Sequence, residues 1–281
     1  MSTIDEKIGF IGAGNMAEAI GAALVQKGIF DKSNISMSDI NEERLSFVKG
    51  KYGIQTTTNS TDLVRENDII VLSVKPQVMD KVLGDIRGSF ETDKRKLFIS
   101  IAAGITTEKI EEYLYRGLSD EQKELLPVVR VMPNTPCMVF SGMSAMGCNK
   151  NCNTKDVFIT RVILESMGKV IQVDEKEIDA VTAMSGSGPA YVFYFIESMI
   201  KAGIDLGFSD DVAGLLTLET FKGAIKLLEE SHDTPQKLRE NVTSKGGTTE
   251  AALKVMETSN LKEIIAKAIK AAQQRSVELS G

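Results

Sequence analysis

Short apolar runs separated by amphipathic stretches fill the first half of the chain. Lys7-Ile8-Gly9-Phe10-Ile11 has the length of a strand and runs into glycines, and residues 34–38 repeat the pattern around Ile35 and Met37. Asp68-Ile69-Ile70-Val71-Leu72-Ser73-Val74 is continuous and β-branched, as a strand buried on both faces requires. Further runs follow at 97–101 and 128–132. Between them, residues 18–26 (stopped by Gly28) and 42–52 carry helical spacing. Strand and helix in alternation predict a parallel sheet with helices on both faces.

The period changes near Asp174. After a last strand-like stretch at 169–173, the pattern is helical to the end. Ser185-Gly186-Ser187-Gly188-Pro189 predicts a break, and residues 191–206 a helix ended by Gly207. Ser209-Asp210-Asp211 predicts the cap of the next helix, through Leu228, and 261–277 a final one. The expected division is 1–172, a dinucleotide-binding domain, and 173–281, a helical domain for substrate binding and dimerisation. The expected fold class is α/β: an N-terminal Rossmann-type doubly wound parallel sheet followed by an all-α C-terminal dimerisation domain.

Composition narrows the partners. With 33 Lys+Arg against 39 Asp+Glu, the net charge of −6 argues against nucleic acid or an anionic membrane surface. The opening Met1-Ser2-Thr3-Ile4-Asp5-Glu6-Lys7 lacks the basic-then-apolar order of a signal peptide, and no apolar run approaches the roughly 20 residues of a membrane span. A cytoplasmic enzyme is the expectation. Cys137, Cys148 and Cys152 have no zinc-site spacing with His232, so no metal is expected and the thiols read as reduced. His232 reads as a surface residue at a helix end.

Gly12-Ala13-Gly14-Asn15-Met16-Ala17 directly follows a strand and opens a helix. Gly12 permits the tight turn, Gly14 lets the backbone approach a pyrophosphate, Ala17 permits close helix–sheet packing, and the helix N-terminus offers free N–H groups. Asp39 lies 22 residues beyond Ala17, where an acid accepts from the ribose hydroxyls and repels a 2′-phosphate. The cofactor is therefore expected to be NADH or NADPH, with a lean to NADH that nearby Arg44 could offset. Val74-Lys75-Pro76 and Ala102-Ala103-Gly104 end strands at the edge where open parallel sheets bind ligands. The residues expected to hold the dinucleotide are Ile11, Gly12, Ala13, Gly14, Asn15, Met16, Asp39, Asn59, Val74, Lys75, Pro76, Ala102, Ala103 and Gly104.

Five stretches, in order along nearly the whole chain, resemble the pyrroline-5-carboxylate reductase family. They are residues 9–17, Val74-Lys75-Pro76, Val131-Met132-Pro133-Asn134-Thr135-Pro136, Ser185-Gly186-Ser187-Gly188-Pro189-Ala190-Tyr191, and Asn241-Val242-Thr243-Ser244-Lys245-Gly246-Gly247-Thr248-Thr249. The resemblance implies reduction of 1-pyrroline-5-carboxylate to L-proline by NAD(P)H, a helical domain interlocking two subunits, and in many members a ring of dimers. It makes Thr249 the catalytic candidate, hydrogen-bonded to the ring nitrogen. It departs from the family pattern at Lys245, where proline is common, and in a longer segment at 116–126.

Read physically, Asn241, Ser244, Gly246, Gly247, Thr248 and Thr249 form the expected substrate site. Positive φ at Gly246-Gly247 would aim successive N–H groups one way, an anion nest for a carboxylate, and a helix N-terminus follows. The same stretch can be read as an ordinary capped helix. A hydroxyacid dehydrogenase, or a dinucleotide sensor whose second half only dimerises, shares the two-part plan. The first needs a lysine or histidine acid/base that the motifs lack, and the second needs no carboxylate nest.

Overall fold

A computed structural model describes residues 4–280; Met1, Ser2 and Thr3 of the opening stretch, and Gly281, lie outside the described residues. The chain runs through β1 (Ile8–Ile11), α1 (Asn15–Gln26), β2 (Ile35–Ser38), α2 (Glu42–Tyr52), β3 (Gln55–Thr57), α3 (Ser60–Glu66) and β4 (Ile69–Leu72). It continues through α4 (Met79–Ile86), β5 (Leu97–Ser100), α5 (Thr107–Leu114), α6 (Asp120–Glu124), β6 (Val128–Met132), β7 (Gly142–Cys148), α7 (Thr154–Glu165), β8 (Gly168–Gln172) and α8 (Ile178–Val181). The helical half holds α9 (Gly188–Asp205), α10 (Asp210–Glu230), α11 (Pro235–Asn241), α12 (Thr248–Thr258) and α13 (Leu261–Ser280).

Among the described residues the strands form one sheet in the order β3-β2-β1-β4-β5-β6-β7-β8. β1 to β6 are parallel, β7 runs antiparallel to β6, and β8 is parallel to β7. The order reverses at β1, so the ends of β1 and β4 open the crevice in which such sheets bind ligands. One face buries Phe10, Ile20, Leu24, Val48 and Ile163, and the other buries Leu63, Leu72, Leu83, Phe98 and Ile110. Helices from both faces therefore share the sheet, the doubly wound architecture expected from the alternating pattern.

Packing divides the chain into two compact units. The first reaches to Ser187 and regains the segment from Ala272; the second is Gly188–Ala271. The sheet ends at Gln172, while the first unit continues through α8 and a wide π turn at Thr182–Gly186. The break expected at 185–189 falls at Ser187, between that turn and α9, which Gly188 and Pro189 open. Pro189 lies in its first turn, where the missing N–H has no partner to lose. α9 ends where Gly207 takes φ +98° and Ser209 caps α10, as the sequence predicts. The long 116–126 segment folds into α6, with a reciprocal cap between Ser119 and Gln122.

Within the first unit, Arg130 on β6 is 2% exposed and pairs with Glu175 (3.1 Å) and Asp179 (2.8 Å). Asp179 also accepts from Ser276 (2.8 Å) and Ser280 (3.2 Å), which fastens the end of α13 to the sheet.

Candidate active site

At the first unit's crevice, Gly12 has φ +99°, and a Cβ there would stand 2.8 Å from the Ser73 carbonyl oxygen. Only glycine fits this turn. Ser73 Oγ fastens it by donating to the Ile11 and Gly12 carbonyls at 2.9 and 2.8 Å. Gly14 is the N-cap of α1 with no side-chain cap, and a Cβ on it would meet open space. The Asn15, Met16 and Ala17 amides, the first three of α1, are left for an anion. An open cradle beneath an uncapped helix N-terminus fits a pyrophosphate.

The Asp39 corner, where the sequence leads one to expect the ribose, is tightly built. Asp39 Oδ2 accepts from the Ala13 N–H (2.8 Å) and Oδ1 from Asn41 N–H (3.0 Å). Arg44 Nε donates to the Ala13 carbonyl (2.6 Å), and its guanidinium pairs with Glu18. Tyr52 Oη donates to Glu18 at 2.6 Å and Lys51 lies at 3.1 Å. Burial pushes the Glu18 carboxyl up, but the hydrogen bonds from Tyr52, Arg44 and Lys51 and the Arg44 charge outweigh it and bring the pKa to about 2. Sequence reasoning missed Glu18, whose partners lie 26 to 34 residues away. Ile40, which follows Asp39, is 97% exposed.

The other expected cofactor residues divide. Val74, Lys75 and Pro76 follow β4 at the carboxyl edge, with Lys75 exposed, and Ala102 and Ala103 follow β5 there. Gly104 has φ +74° and packs against Leu279, 3.0 Å from where its Cβ would lie, so its smallness serves the end of α13. Asn59 caps α3: its Oδ1 accepts from the Thr61 and Asp62 amides and its Nδ2 donates to Asp62. A separate cleft of about 1060 Å³, lined by Glu111, Tyr115, Arg116 and Lys123 among others, lies at the α5–α6 side of this unit.

In the second unit, Asn241 ends α11 and Gly247 is the N-cap of α12, with no side-chain cap. The expected two-glycine nest is corrected here. Only Gly246 has positive φ (+73°); Gly247 is extended at φ −83°. Both glycine amides are engaged, Gly246 N–H by Glu250 (2.7 Å) and Gly247 N–H by the Ser244 carbonyl (3.0 Å). The first-turn amides of Thr248, Thr249 and Glu250 are left unpaired, those of Thr248 and Thr249 lying nearest the turn. The Thr248 and Thr249 hydroxyls make no hydrogen bond among the described residues; Ser244 and Thr248 are exposed and Thr249 is half-buried. His232 is exposed after α10, and among the described residues no cluster of three metal-ligating side chains exists. No helix among them is long and apolar enough to cross a membrane.

Residues 175–279 match the family model for pyrroline-5-carboxylate reductase dimerisation, and residues 7–104 match that for NADP oxidoreductase, coenzyme F420-dependent. The chain is 36% identical to pyrroline-5-carboxylate reductase 2 of Bacillus subtilis, covering 98% of this chain and 95% of that one. It is 37% identical to pyrroline-5-carboxylate reductase of Pseudomonas aeruginosa, covering 98% and 97%. The crystal structure of Plasmodium falciparum pyrroline carboxylate reductase with NADP bound superposes with a TM-score of 0.86 at 33% identity, covering 100% of both chains.

The chain belongs to the pyrroline-5-carboxylate reductase family.

It is an oxidoreductase that uses a nicotinamide dinucleotide, and it oligomerises through its helical half. The Rossmann-plus-helical fold class expected from the sequence holds. Mycobacterium tuberculosis 3-hydroxyisobutyrate dehydrogenase, at 17% identity and a TM-score of 0.53 over 73% of this chain, shares the fold alone.

Proposed function

We propose that this enzyme reduces 1-pyrroline-5-carboxylate to L-proline, consuming NAD(P)H and one proton, as the last step of proline synthesis in the cytoplasm. The observation that carries it is that the chain holds both an uncapped, open glycine cradle at the start of α1 and an uncapped helix start at Ser244–Thr249, each described within its own unit. Residues 11–16 hold the pyrophosphate, Asp39 the adenosine ribose with Ile40 as an apolar face beside it, and Val74–Pro76 and Ala102–Ala103 the nicotinamide ribose. When bound, the nicotinamide supplies the hydride that reduces the imine carbon. The Thr248 and Thr249 amides receive the substrate carboxylate, with Ser244 and Asn241 at the rim. Thr249 Oγ1 accepts from the protonated imine N–H and fixes the ring. The protonated imine is already electrophilic, so positioning does most of the work, up to about 7–11 kcal/mol when geometry is good. Oxidation of NADH or NADPH with 1-pyrroline-5-carboxylate tests this. Failure to oxidise either, alongside reduction of NAD⁺ or NADP⁺ with a 2-hydroxy or 3-hydroxy acid, would overturn it.

NADH is the favoured cofactor in this reading. Asp39 is held in place by two amides, Glu42 and Glu43 add negative charge, and Arg44 is already paired. Steady-state kinetics should give a higher kcat/KM with NADH, and Asp39→Ser should narrow the gap. A tenfold preference for NADPH, about 1.4 kcal/mol at the transition state, would refute the assignment.

The active form is a homodimer, which in turn can assemble into a ring. Helices α9 and α10 leave Phe193 and Leu215 each 63% exposed, with Val192, Leu216, Ile225 and Leu227 also exposed. Apolar area of that kind requires a protein surface to cover it. Sedimentation at micromolar concentration should show a dimer or a multiple of it, and a stable, active monomer would contradict it.

A further inference from the structure

Glu18 sits in the first turns of α1, just beyond the glycine cradle, and gathers three partners from α2: Arg44, Lys51 and Tyr52. Arg44 in turn donates to the Ala13 carbonyl at 2.6 Å, and its guanidinium carbon lies 5.2 Å from the centroid of the Phe47 ring. The same Ala13 residue gives its N–H to Asp39. Ala13 is thus held at both its N–H and its carbonyl by the β2–α2 corner.

We propose that Glu18 determines cofactor choice: by pairing with Arg44 it keeps that cation on the glycine turn and withholds it from an adenosine 2′-phosphate. This rests on the reading that the adenosine ribose lies at Asp39. A 2′-phosphate there arrives among Asp39, Glu42 and Glu43 and needs a cation, and an arginine near this position is how such sites accommodate it. A planar guanidinium grips phosphate best through two parallel N–H groups. Arg44 has committed its Nε–Nη2 edge, one on Ala13 and one on Glu18. To turn toward the phosphate it must leave a half-buried carboxylate that stays ionised, and must give up the Phe47 face. Glu18 touches no reacting atom and acts through Arg44, as a positioning residue. If the cluster only fastened α1 to α2, its loss would weaken binding of both dinucleotides together.

The test is a fluorescence titration of the intact oligomer with NADH and with NADPH, without substrate. It compares wild type, Glu18→Gln, Arg44→Ala and the double variant. Glutamine keeps an acceptor for Tyr52 and Lys51 and removes the charge. The ratio Kd(NADPH)/Kd(NADH) should fall about tenfold in Glu18→Gln, the scale of one charge-assisted contact. The fall should vanish when Arg44 is also removed. An unchanged ratio overturns the inference, and so does a fall that persists without Arg44. If Glu18→Gln does not fold, Glu18→Asp withdraws the carboxylate from Arg44 and should move the ratio the same way; no movement there counts equally against it. Asp39→Ser, titrated in parallel, tests the underlying reading separately. If it leaves both affinities untouched, the adenosine does not lie at Asp39, whatever the Glu18 variants show.

Discussion

Arg130→Met is expected to destabilise the protein by about 3–5 kcal/mol, the size of effect seen when one partner of a buried ion pair is removed. Arg130 is almost wholly buried on a central strand, and its charge is met by Glu175 and Asp179. Methionine nearly fills the space but leaves Asp179 and Glu175 facing each other with no cation. Ser276 and Ser280, which donate to Asp179, cannot neutralise it. Urea unfolding at fixed protein concentration measures the loss, since an oligomer's stability depends on concentration. The double variant Arg130→Met/Asp179→Leu should be more stable than the single one, because an apolar replacement of both partners leaves less charge stranded. A single variant within 1 kcal/mol of wild type would show that the cluster contributes little.

This cluster marks where the sequence stops being legible. Arg130 stands in Val128-Val129-Arg130-Val131-Met132, and a charge inside a buried strand announces that it has partners. It does not say which ones, because Glu175, Asp179 and Ser276 are 45 to 146 residues further on. β1, β4 and β5 could be read directly because their burial on both faces demands unbroken apolar runs. β7 could not. Its sequence, Gly142-Met143-Ser144-Ala145-Met146-Gly147-Cys148, lacks β-branched residues because its backbone is closely approached. A Cβ on Gly147 would stand 2.8 Å from the Glu175 Cα, and one on Gly142 would run into Cys137. Propensity reads such a strand as a loop, and packing makes it a strand.

The candidate site shows the same division. The glycine turn after β1 was visible because its requirements are local: φ at Gly12, openness at Gly14, smallness at Ala17. The Glu18–Arg44 pair was not, since it exists only once α2 lies beside α1. The Gly246-Gly247 pair shows the opposite error. Two adjacent glycines suggest a nest, but which amides face outward depends on φ at each residue and on Glu250 reaching back to Gly246. The amides left unpaired therefore lie two residues later, on Thr248 and Thr249.

Thr249→Ala follows from that shift. Thr249 is the second residue of α12, its amide is among those the helix leaves unpaired, and its hydroxyl has no partner among the described residues. A hydroxyl without an internal partner is free to hold the imine nitrogen, and a hydrogen bond to a charged group is worth roughly 1.5–3 kcal/mol. Alanine keeps the helix and the amide while removing that bond, so kcat/KM with 1-pyrroline-5-carboxylate should fall about 10- to 150-fold. Dinucleotide affinity, titrated without substrate, should stay within about twofold, because no residue of this stretch is among those assigned to the dinucleotide and changes that share no partner act independently. Gly247→Val should be worse, for a steric reason. A Cβ at Gly247 would stand 2.5 Å from Ser244 Oγ and 3.0 Å from the Ser244 carbonyl, so the turn must open and the α12 amides must move. Thr249→Ser, which keeps the hydroxyl, should recover most of the activity lost in Thr249→Ala. Full efficiency in Thr249→Ala would remove its assigned role and move attention to Ser244 and Thr248. A collapse of cofactor affinity along with activity would mean that α12 serves the dinucleotide, and the division of labour between the two units would have to be redrawn.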